Sequence, residues 1–258
     1  MKTILSATVF LLLFNLASAQ TPATKPLNVA IFVYPGVGLG DLNGPLDVFV
    51  KASGMTQGQY RVYTVALKPA SVAAQSGGVD RGTVTTQGGG LRFKPDYGVG
   101  EMPAPDILVI PGGSIGLLDS MTRDKEVISF IQRYKDKVSV LMSVCTGAYL
   151  LGKSGALNGH KATTHYFVAD DLKDQFPGLT IVKDVRYVDE GRLLTTSGGT
   201  TGMDGALHLV ARYSGERVAG MVAGALQYTP LEKEKWPEAV GGMKFDRERR
   251  KKMGLLAQ

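Results

Sequence analysis

The stretch VSVLMSVCTGAYLLG, residues 138–152, decides the fold, because a strand-like half meets a helix-like half at a single cysteine. The first half is apolar and rich in β-branched residues, which is typical of a central strand covered on both faces. The second half favours helix. Cys145 lies at the switch, with Ser143 two residues before it and Gly147 two residues after it. This pattern predicts a nucleophile elbow, a sharp strand-to-helix turn that holds one side chain above the sheet.

The elbow pattern leaves two interpretations of Cys145. A thiol at a helix N-terminus gains from unpaired amides and from the helix dipole, which both favour the thiolate over the thiol. A free cysteine is also among the residue types most often buried for structural reasons. The chain has 1 cysteine, which excludes an internal disulfide. This residue is therefore either buried and inert or kept for its reactivity.

Residues 1–19 have the three parts of a secretory signal peptide. Lys2 supplies a positive start, residues 9–14 (VFLLLF) supply an apolar core, and residues 17–19 (ASA) form an A-x-A cleavage site. The apolar core is too short to span a bilayer, and no cysteine stands at the cleavage site to carry a lipid. We therefore expect cleavage near Ala19, export to the periplasm or the medium, and no membrane anchor.

Length and charge limit the remaining possibilities. The chain has 258 residues and a formal net charge of +6, enough after removal of the signal for one large α/β domain. Much of the positive charge lies in residues 247–252 (RERRKK). A solvated terminal helix or a frayed end is a simpler interpretation of this run than a nucleic-acid or lipid contact. We expect a single domain over residues 27–230, a charged tail over residues 231–258, and no nucleic-acid partner.

Buried strands alternate with helices along the predicted domain. Strands are predicted at residues 27–34, 60–66, 106–110, 138–144 and 193–196, with shorter strands at 180–182 and 185–188. A hairpin is predicted within residues 71–93. Helices are predicted from residue 41 onward and at residues 124–135, 166–176, 203–214 and 215–228. This alternation predicts a mostly parallel sheet with helices on both faces. In such sheets ligands bind at the carboxyl ends of the strands. The loop before Asp41, the Gly112-Gly113 turn and Cys145 fall at those ends, so we expect them to share one cleft.

Five motifs together resemble the ThiJ/PfpI family, whose superfamily includes the Parkinson's-disease-associated protein and the class I glutamine amidotransferase domains. They are DLNGPLDVF at residues 41–49, IPGG at 110–113, SVCTGA at 143–148, ATTH at 162–165 and TSGG at 196–199. The resemblance extends over roughly residues 29–230 and implies a flavodoxin-like three-layer α/β sandwich. Within the family, the chain resembles the isonitrile hydratase branch and the sensor domains of AraC-type regulators.

The resemblance implies roles for five residues. Cys145 would attack the substrate, and Asp41 would bond its sulfur and act as general acid or base, held partly protonated by burial and like charge. From spacing alone, a helix cap is the simpler interpretation of Asp41. The backbone amides of Gly113 and Thr146 would stabilise developing negative charge, and the Thr146 hydroxyl would donate to the substrate or to Asp41. His165 is a candidate for tuning the thiolate, although a hydrogen-bonded structural histidine is the simpler interpretation.

Two positions depart from the family pattern. The protease-like branch has histidine directly after the nucleophile, and Thr146 at this position argues against a Cys-His peptidase dyad. The hydratase branch usually has a large apolar residue before the aspartate, whereas this chain has Gly40, so the pocket shape and the substrate stay open. The histidine and cysteine spacings match no zinc pattern, and the glycine pairs match no phosphate loop. We expect neither a metal nor a cofactor.

These features leave two classes of function open. The first is an exported cysteine-dependent enzyme, a hydratase or lyase that acts on a small electrophilic carbon such as that of an isonitrile, giving an N-formamide, or of an α-oxoaldehyde. The second is a ligand-binding or redox-sensing module, in which Cys145 is oxidised to a sulfenate. A complete AraC-type regulator is not expected, because only 30 residues follow Tyr228. Since family members commonly form dimers, we expect a homodimer that binds a small molecule.

Overall fold

The structure, a computed structural model, describes residues 25–67, 82–231 and 245–255. The predicted signal peptide lies outside these ranges, as do residues 68–81 of the region around the predicted hairpin and residues 232–244 of the predicted tail. Within the described ranges, no helix is both long enough and apolar enough to cross a membrane.

Strands and helices alternate along the described chain, as the sequence predicts. The strands are β1 (Leu27–Phe32), β2 (Tyr60–Ala66), β3 (Val84–Thr85), β4 (Arg92–Phe93), β5 (Tyr97–Gly98), β6 (Ile107–Ile110), β7 (Val140–Val144), β8 (Lys161–Ala162), β9 (Thr180–Ile181), β10 (Tyr187–Asp189) and β11 (Leu193–Thr196). The helices are α1 (Leu39–Met55), α2 (Ile115–Arg123), α3 (Lys125–Tyr134), α4 (Ala148–Lys153), α5 (Ala169–Gln175), α6 (Thr201–Ser214), α7 (Glu216–Ala225) and α8 (Arg247–Lys252). Short 3₁₀ turns are formed by Gln87–Gly89, Cys145–Gly147 and Tyr166–Val168.

One seven-stranded sheet has the order β10-β11-β7-β6-β1-β2-β5. Its neighbouring strands are parallel except for β10 and β11 at one edge. The register places Ile110 of β6 opposite Ser143 of β7, and Val144 of β7 opposite Thr196 of β11. The three strands therefore end at about the same level, and the loops that follow them meet above β7.

The helices form two groups. Helices α1, α6 and α7 pack on one another, and α2 to α5 form a second connected group. Every position of β6 and β7 is buried, because the sheet is covered on both faces, and this explains the apolar run in the sequence. Full burial of one such aliphatic side chain stabilises the fold by about 1.5–3 kcal/mol. The predicted three-layer α/β sandwich with a mostly parallel sheet is confirmed.

The predicted hairpin is present as β3 and β4, which pair antiparallel. It is anchored on the loop that precedes α1. The amide of Gly36 donates to the carbonyl of Thr85 at 2.7 Å, and the amide of Gln87 donates to the carbonyl of Val37 at 2.9 Å. The hairpin therefore fixes one side of the loop that leads to Asp41.

Helix α1 begins earlier than the sequence predicts. Its first residue is Leu39, and the capping position is Gly38, which makes no side-chain capping bond. Asp41 therefore lies inside the first helical turn and is buried. The capping interpretation of Asp41 is wrong, and its carboxylate is free to point toward the ends of the strands.

Two other helices differ from the predicted pattern. The sequence does not predict helix α2, because the glycine turn at residues 112–116 conceals its start. The helix buries Leu118 and Met121 against the core. The helix predicted at residues 166–176 is divided into the 3₁₀ turn Tyr166–Val168 and helix α5. Both differences arise close to the cysteine, where the chain is shaped by tertiary contacts more than by local propensity.

Candidate active site

The predicted nucleophile elbow is present at the end of β7. Cys145 has a positive φ of 58°, which a non-glycine residue rarely adopts and which costs free energy. The turn also needs Gly147, since a Cβ atom there would lie 2.2 Å from the carbonyl oxygen of Ile110. The elbow is therefore pressed directly onto the end of β6, and the cysteine side chain is held at the carboxyl edge of the sheet.

Asp41 is brought to the cysteine by the first turn of α1. Its carboxylate hydrogen-bonds the thiol of Cys145 and accepts from the backbone amide of Gly112. Its Oδ1 atom also accepts from the amide of Gly199 at 3.1 Å. The amide of Gly38 donates to the carbonyl of Gly112 at 2.7 Å, which ties the two loops together. The expected convergence of three strand ends on one cleft is therefore found.

Glycines allow this close approach. A Cβ atom on Gly38 would lie 2.9 Å from Oδ2 of Asp41, and one on Gly112 would lie 2.7 Å from the same oxygen and 2.5 Å from Oγ1 of Thr146. Real side chains do not tolerate such distances, so a larger residue at either position would move the carboxylate.

The carboxyl group of Asp41 and the thiol of Cys145 both hold their protons more tightly than the same groups do in water. Burial raises the pKa of Asp41 from 3.8 to about 6, although the hydrogen bonds from Gly199, Cys145 and Gly112 lower it in part. Burial and the nearby Asp41 charge raise the pKa of Cys145 well above its ordinary value, against the amide of Thr146. This direction is opposite to the one expected for a thiol at a helix N-terminus. Helix α4 spans only six residues, so its dipole is small beside these two effects.

Together these shifts define the proton state of the pair. Above about pH 6 the carboxylate of Asp41 is ionised, whereas Cys145 stays a thiol whose partner is that carboxylate. Such a pair carries one negative charge, and the acceptor for the thiol proton is already in contact with it. The arrangement is suited to general base catalysis, in which Asp41 takes the proton as the sulfur attacks.

Thr146 makes contacts that the sequence interpretation did not foresee. Its hydroxyl donates to the carbonyl of Gly113 at 2.8 Å and accepts from the amide of Gly113 at 3.0 Å. The Gly113 amide can stabilise a developing negative charge only after this bond is broken. The Thr146 hydroxyl likewise donates to a carbonyl in this structure, while its backbone amide faces the sulfur of Cys145. Of the expected charge-stabilising groups, the amide and the hydroxyl of Thr146 both lie against the reacting sulfur, whereas the Gly113 amide is engaged by Thr146.

His165 has a structural contact in this structure. Its Nδ1 atom accepts from the amide of Phe167 at 3.3 Å, which caps the 3₁₀ turn, and its ring lies 4.5 Å from that of Tyr166. The preceding Thr164 contacts the elbow itself, because its hydroxyl donates to the carbonyl of Cys145 at 2.8 Å. The simpler interpretation of His165 agrees with this geometry, and its effect on the thiolate stays a prediction.

A second glycine-rich segment, residues 197–200, completes the site, and we call it the glycine loop. Its motif contributes to the family resemblance, but the sequence alone predicts no role for it. Gly198 has a φ of +116°, and a Cβ atom on it would lie 2.7 Å from both Cβ and Sγ of Cys145. Gly199 supplies the amide that binds Asp41. The glycine loop therefore contacts both members of the pair.

Replacing Gly198 by alanine should block the thiol. The added methyl group would overlap the sulfur of Cys145, so the loop must move away, and the amide of Gly199 would move from Asp41 with it. We expect the rate of Cys145 alkylation by iodoacetamide to fall by about 10²-fold, the cost of a displacement of about 1 Å at a reacting centre. The matched control is Gly191→Ala, where φ is also positive at 82° but no atom lies within 4 Å. An unchanged rate in Gly198→Ala would contradict this geometry.

The described residues offer no group of histidine, cysteine, aspartate and glutamate side chains that could hold a metal ion. A cavity of about 450 Å³ lies at the carboxyl ends of β1 and β2. Neither Cys145 nor Asp41 lines it, so it is not the space in front of the thiol.

Comparisons with known proteins identify relatives that cover most of the chain. The chain is 32% identical over 205 residues to an isonitrile hydratase of Pseudomonas putida, an alignment that covers 79% of each protein. It is 31% identical over 145 residues to the HTH-type transcriptional regulator GbdR of Pseudomonas aeruginosa, covering 56% of this chain but 38% of the regulator.

A comparison with solved structures also finds a protein that superposes over most of this chain. A crystal structure of a ThiJ/PfpI family protein from Pseudomonas syringae superposes with a TM-score of 0.67 at 26% identity, covering 92% of this chain and 88% of that one. The family model described as DJ-1/PfpI family matches residues 27–212. With its elbow, its strand order and this match, the chain belongs to the DJ-1/PfpI family.

Proposed function

We propose that this protein is a cysteine-dependent hydratase that converts isonitriles into N-formamides. The observation that carries the proposal is the hydrogen bond between the Cys145 thiol and a buried Asp41 carboxylate. This pair can move a proton away from sulfur and return it without a metal or a cofactor. The similarity to an isonitrile hydratase over 79% of both chains supports the choice of substrate.

In the first step, the sulfur of Cys145 forms a bond to the terminal carbon of the isonitrile. Asp41 takes the thiol proton and delivers it to the same carbon, so that a thioimidate, Cys–S–CH=N–R, results. The sulfur attacks without first having to exist as a free thiolate, which the buried site disfavours. The charge on the pair is the same before and after the step.

In the second step, water adds to the thioimidate carbon. Asp41 accepts one proton of that water and passes it to the nitrogen, which gives a tetrahedral adduct with a hydroxyl and an amine on the carbon. The carbon–sulfur bond then breaks as the hydroxyl proton returns to sulfur by way of Asp41. The products are the N-formamide and the Cys145 thiol. The amide of Thr146, which faces the sulfur, stabilises the charge that develops on it as it leaves.

The test is turnover of an aryl isonitrile by the protein, followed by formamide release. We expect many equivalents of product per protein molecule, and no detectable turnover by Cys145→Ala. The matched control for that small substitution is Ser154→Ala, which lies just beyond helix α4 and away from the cleft, and which should keep its turnover. Formamide release by Cys145→Ala at the rate of the unaltered protein would exclude the covalent mechanism.

A sensing function is the second candidate, because the alignment also extends to a transcriptional regulator. A sensor binds or reacts once, whereas an enzyme processes many equivalents, so the same assay separates the two. Oxidative sensing is less well supported, since a redox sensor needs a low thiol pKa and burial raises the pKa of Cys145. An α-oxoaldehyde is the alternative substrate. Export after cleavage near Ala19 and assembly into a homodimer belong to the proposal as expectations from the sequence.

A further inference from the structure

A buried ionic network lies directly behind the glycine loop. Arg186, just before β10, is almost fully buried, and so is Asp204 in the first turn of α6. The Nε atom of Arg186 donates to Oδ2 of Asp204 at 2.6 Å, and its Nη2 donates to the hydroxyl of Tyr228 at 2.7 Å. That hydroxyl donates in turn to Oδ2 of Asp204 at 2.8 Å. A buried charged network of this kind, in which Arg186, Asp204 and Tyr228 hydrogen-bond one another, holds the elements that carry it in one arrangement.

Arg186 holds the glycine loop at both ends. At the first end, its backbone carbonyl accepts from the amide of Ser197 at 2.9 Å and from the hydroxyl of the same residue at 3.3 Å. At the other end, its Nη2 atom donates to Oγ1 of Thr200 at 3.4 Å. The loop between these contacts carries Gly198 against Cys145 and Gly199 against Asp41.

Thr201 supports the same arrangement from helix α6. Its hydroxyl oxygen accepts from the amide of Gly198 at 2.6 Å and lies 3.3 Å from the hydroxyl of Ser197. The two glycines have φ values of +116° and +56°, a backbone that is flexible unless its ends are fixed. The amide that reaches Asp41 is therefore placed by its neighbours and not by local preference.

We propose that Arg186 is a positioning residue for the reacting pair, acting through the glycine loop to hold the Gly199 amide on the Asp41 carboxylate. This inference rests on one part of the proposed function, namely that Asp41 and Cys145 react as a pair. The titratable groups that the described residues place against Asp41 are Cys145, at the end of β7, and Tyr34, which follows β1. Arg186 bonds Ser197 and Thr200 at the two ends of the glycine loop, and the loop donates the Gly199 amide to Asp41, so the loop is the route by which Arg186 affects the carboxylate.

The direction of the effect follows from the hydrogen bond. An amide that donates to a carboxylate favours the ionised form, so a weaker bond raises the pKa of that carboxyl group. If Arg186 is shortened, the glycine loop loosens, and Asp41 becomes harder to ionise. The rate of Cys145 alkylation rises with pH as Asp41 ionises, and its midpoint near pH 6 should therefore move to higher pH.

The experiment is the pH profile of Cys145 alkylation by iodoacetamide in Arg186→Lys. Lysine keeps the charge but lacks the planar fork that reaches Asp204, Tyr228 and the loop together. We expect the midpoint to rise by about half a pH unit. The matched control is Arg212→Lys on helix α6, the helix that carries Asp204; the ion pair of Arg212 with Asp189 lies away from the glycine loop. Its midpoint should equal that of the unaltered protein.

A second variant covers the case in which Arg186→Lys does not fold. Asp204 has one carboxylate oxygen, Oδ1, that is buried without a hydrogen-bond partner among the described residues, so disturbing its cation carries a risk for stability. Thr200→Val changes an exposed residue and removes only the hydrogen bond from Arg186 to the end of the glycine loop. It should shift the midpoint in the same direction by a smaller amount. A folded Arg186→Lys or a Thr200→Val with an unshifted midpoint would overturn the proposal. A shifted midpoint in a protein that releases no formamide would keep Arg186 in its role and reject the hydratase.

Discussion

Asp41→Asn should reduce isonitrile turnover by about 10²–10⁴-fold, the usual contribution of a positioned general base. Asparagine has nearly the same size and can still accept one amide hydrogen bond, but it cannot take the proton of the Cys145 thiol. Since burial makes the thiol hard to ionise alone, the lost base is not replaced by water at neutral pH. The measurement is kcat/KM for an aryl isonitrile between pH 5 and pH 8.

The pH profile distinguishes this cause from a merely structural one. In the unaltered protein, turnover should rise through about pH 6 as Asp41 ionises, and then level off. In Asp41→Asn that rise should be absent. Asp47→Asn is the matched control, because it removes a partly exposed carboxylate from the same helix, one that pairs with Lys51. Its profile should keep the rise, and a profile of Asp41→Asn that also kept it would exclude Asp41 as the base.

The same substitution should make the protein more stable at neutral pH. The pKa of Asp41 is about 6 in the folded protein against 3.8 ordinarily, so folding favours the neutral form. The stability that this gives is complete below pH 3.8 and is lost as the pH rises through about 6. Asparagine never ionises, and we expect a gain on the order of 1–3 kcal/mol at pH 8. Chemical unfolding at pH 8 and at pH 3.5 measures the difference, which should vanish at the lower pH.

How far the sequence predicts this site depends on which contacts are local. The elbow could be predicted, because a strand run that changes to helix at a cysteine between small residues is a local pattern, and Cys145 does have a positive φ. Spacing alone places Asp41 at the right strand end but as a helix cap, and only the family resemblance indicates a buried carboxylate beside the thiol. The extra helical residues at Leu39 and Gly40 turn the carboxylate from a cap into a partner of the sulfur.

The contacts that could not be predicted join distant parts of the chain. Arg186 stood inside a run interpreted as a strand, and an arginine in an otherwise apolar run was the available signal that it needed a buried anion. Its partner Asp204 lies 18 residues further on, and periodicity does not show which carboxylate it meets. In the same way, the hydrogen bonds between Thr146 and Gly113 depend on the pairing of β6 with β7, which local sequence does not specify.

The C-terminal basic run shows this limit most clearly. Residues 247–252 form helix α8, and a solvated or frayed helix was the expectation. That expectation is wrong for Arg250, which is 2% exposed. Its Nε and Nη2 atoms bind the two carboxylate oxygens of Asp171 at 2.9 and 2.8 Å, and its Nη1 atom binds Asp119. Charge patterning alone cannot tell which arginine in such a run is buried, because all of them look alike in sequence.

Arg250→Met should destabilise the protein by about 3–5 kcal/mol, the cost of removing one partner from a buried ion pair. Methionine fills much of the same volume, so the loss reports the charge more than the packing. Among the described residues, Asp171, 1% exposed, would keep only the neutral donors Tyr149 and Gln175. Asp119 would keep Arg123, which is largely exposed. The measurement is the free energy of unfolding in urea at pH 7, with Arg247→Met, an exposed position on the same helix, as the control that should change little.

The burial of an unpaired charge can be separated from the loss of contacts by a second substitution. In Arg250→Met with Asp171→Asn, the orphaned carboxylate is gone, and we expect part of the lost stability to return, so that the two changes are less than additive. The arginine also lies over the ring of Tyr149, in the helix that directly follows the cysteine elbow. A docked α8 therefore braces α2, α4 and α5 together beneath the site. If Arg250→Met unfolded at the same urea concentration as Arg247→Met, helix α8 would not be docked in solution, and the cation for Asp171 would have to come from elsewhere.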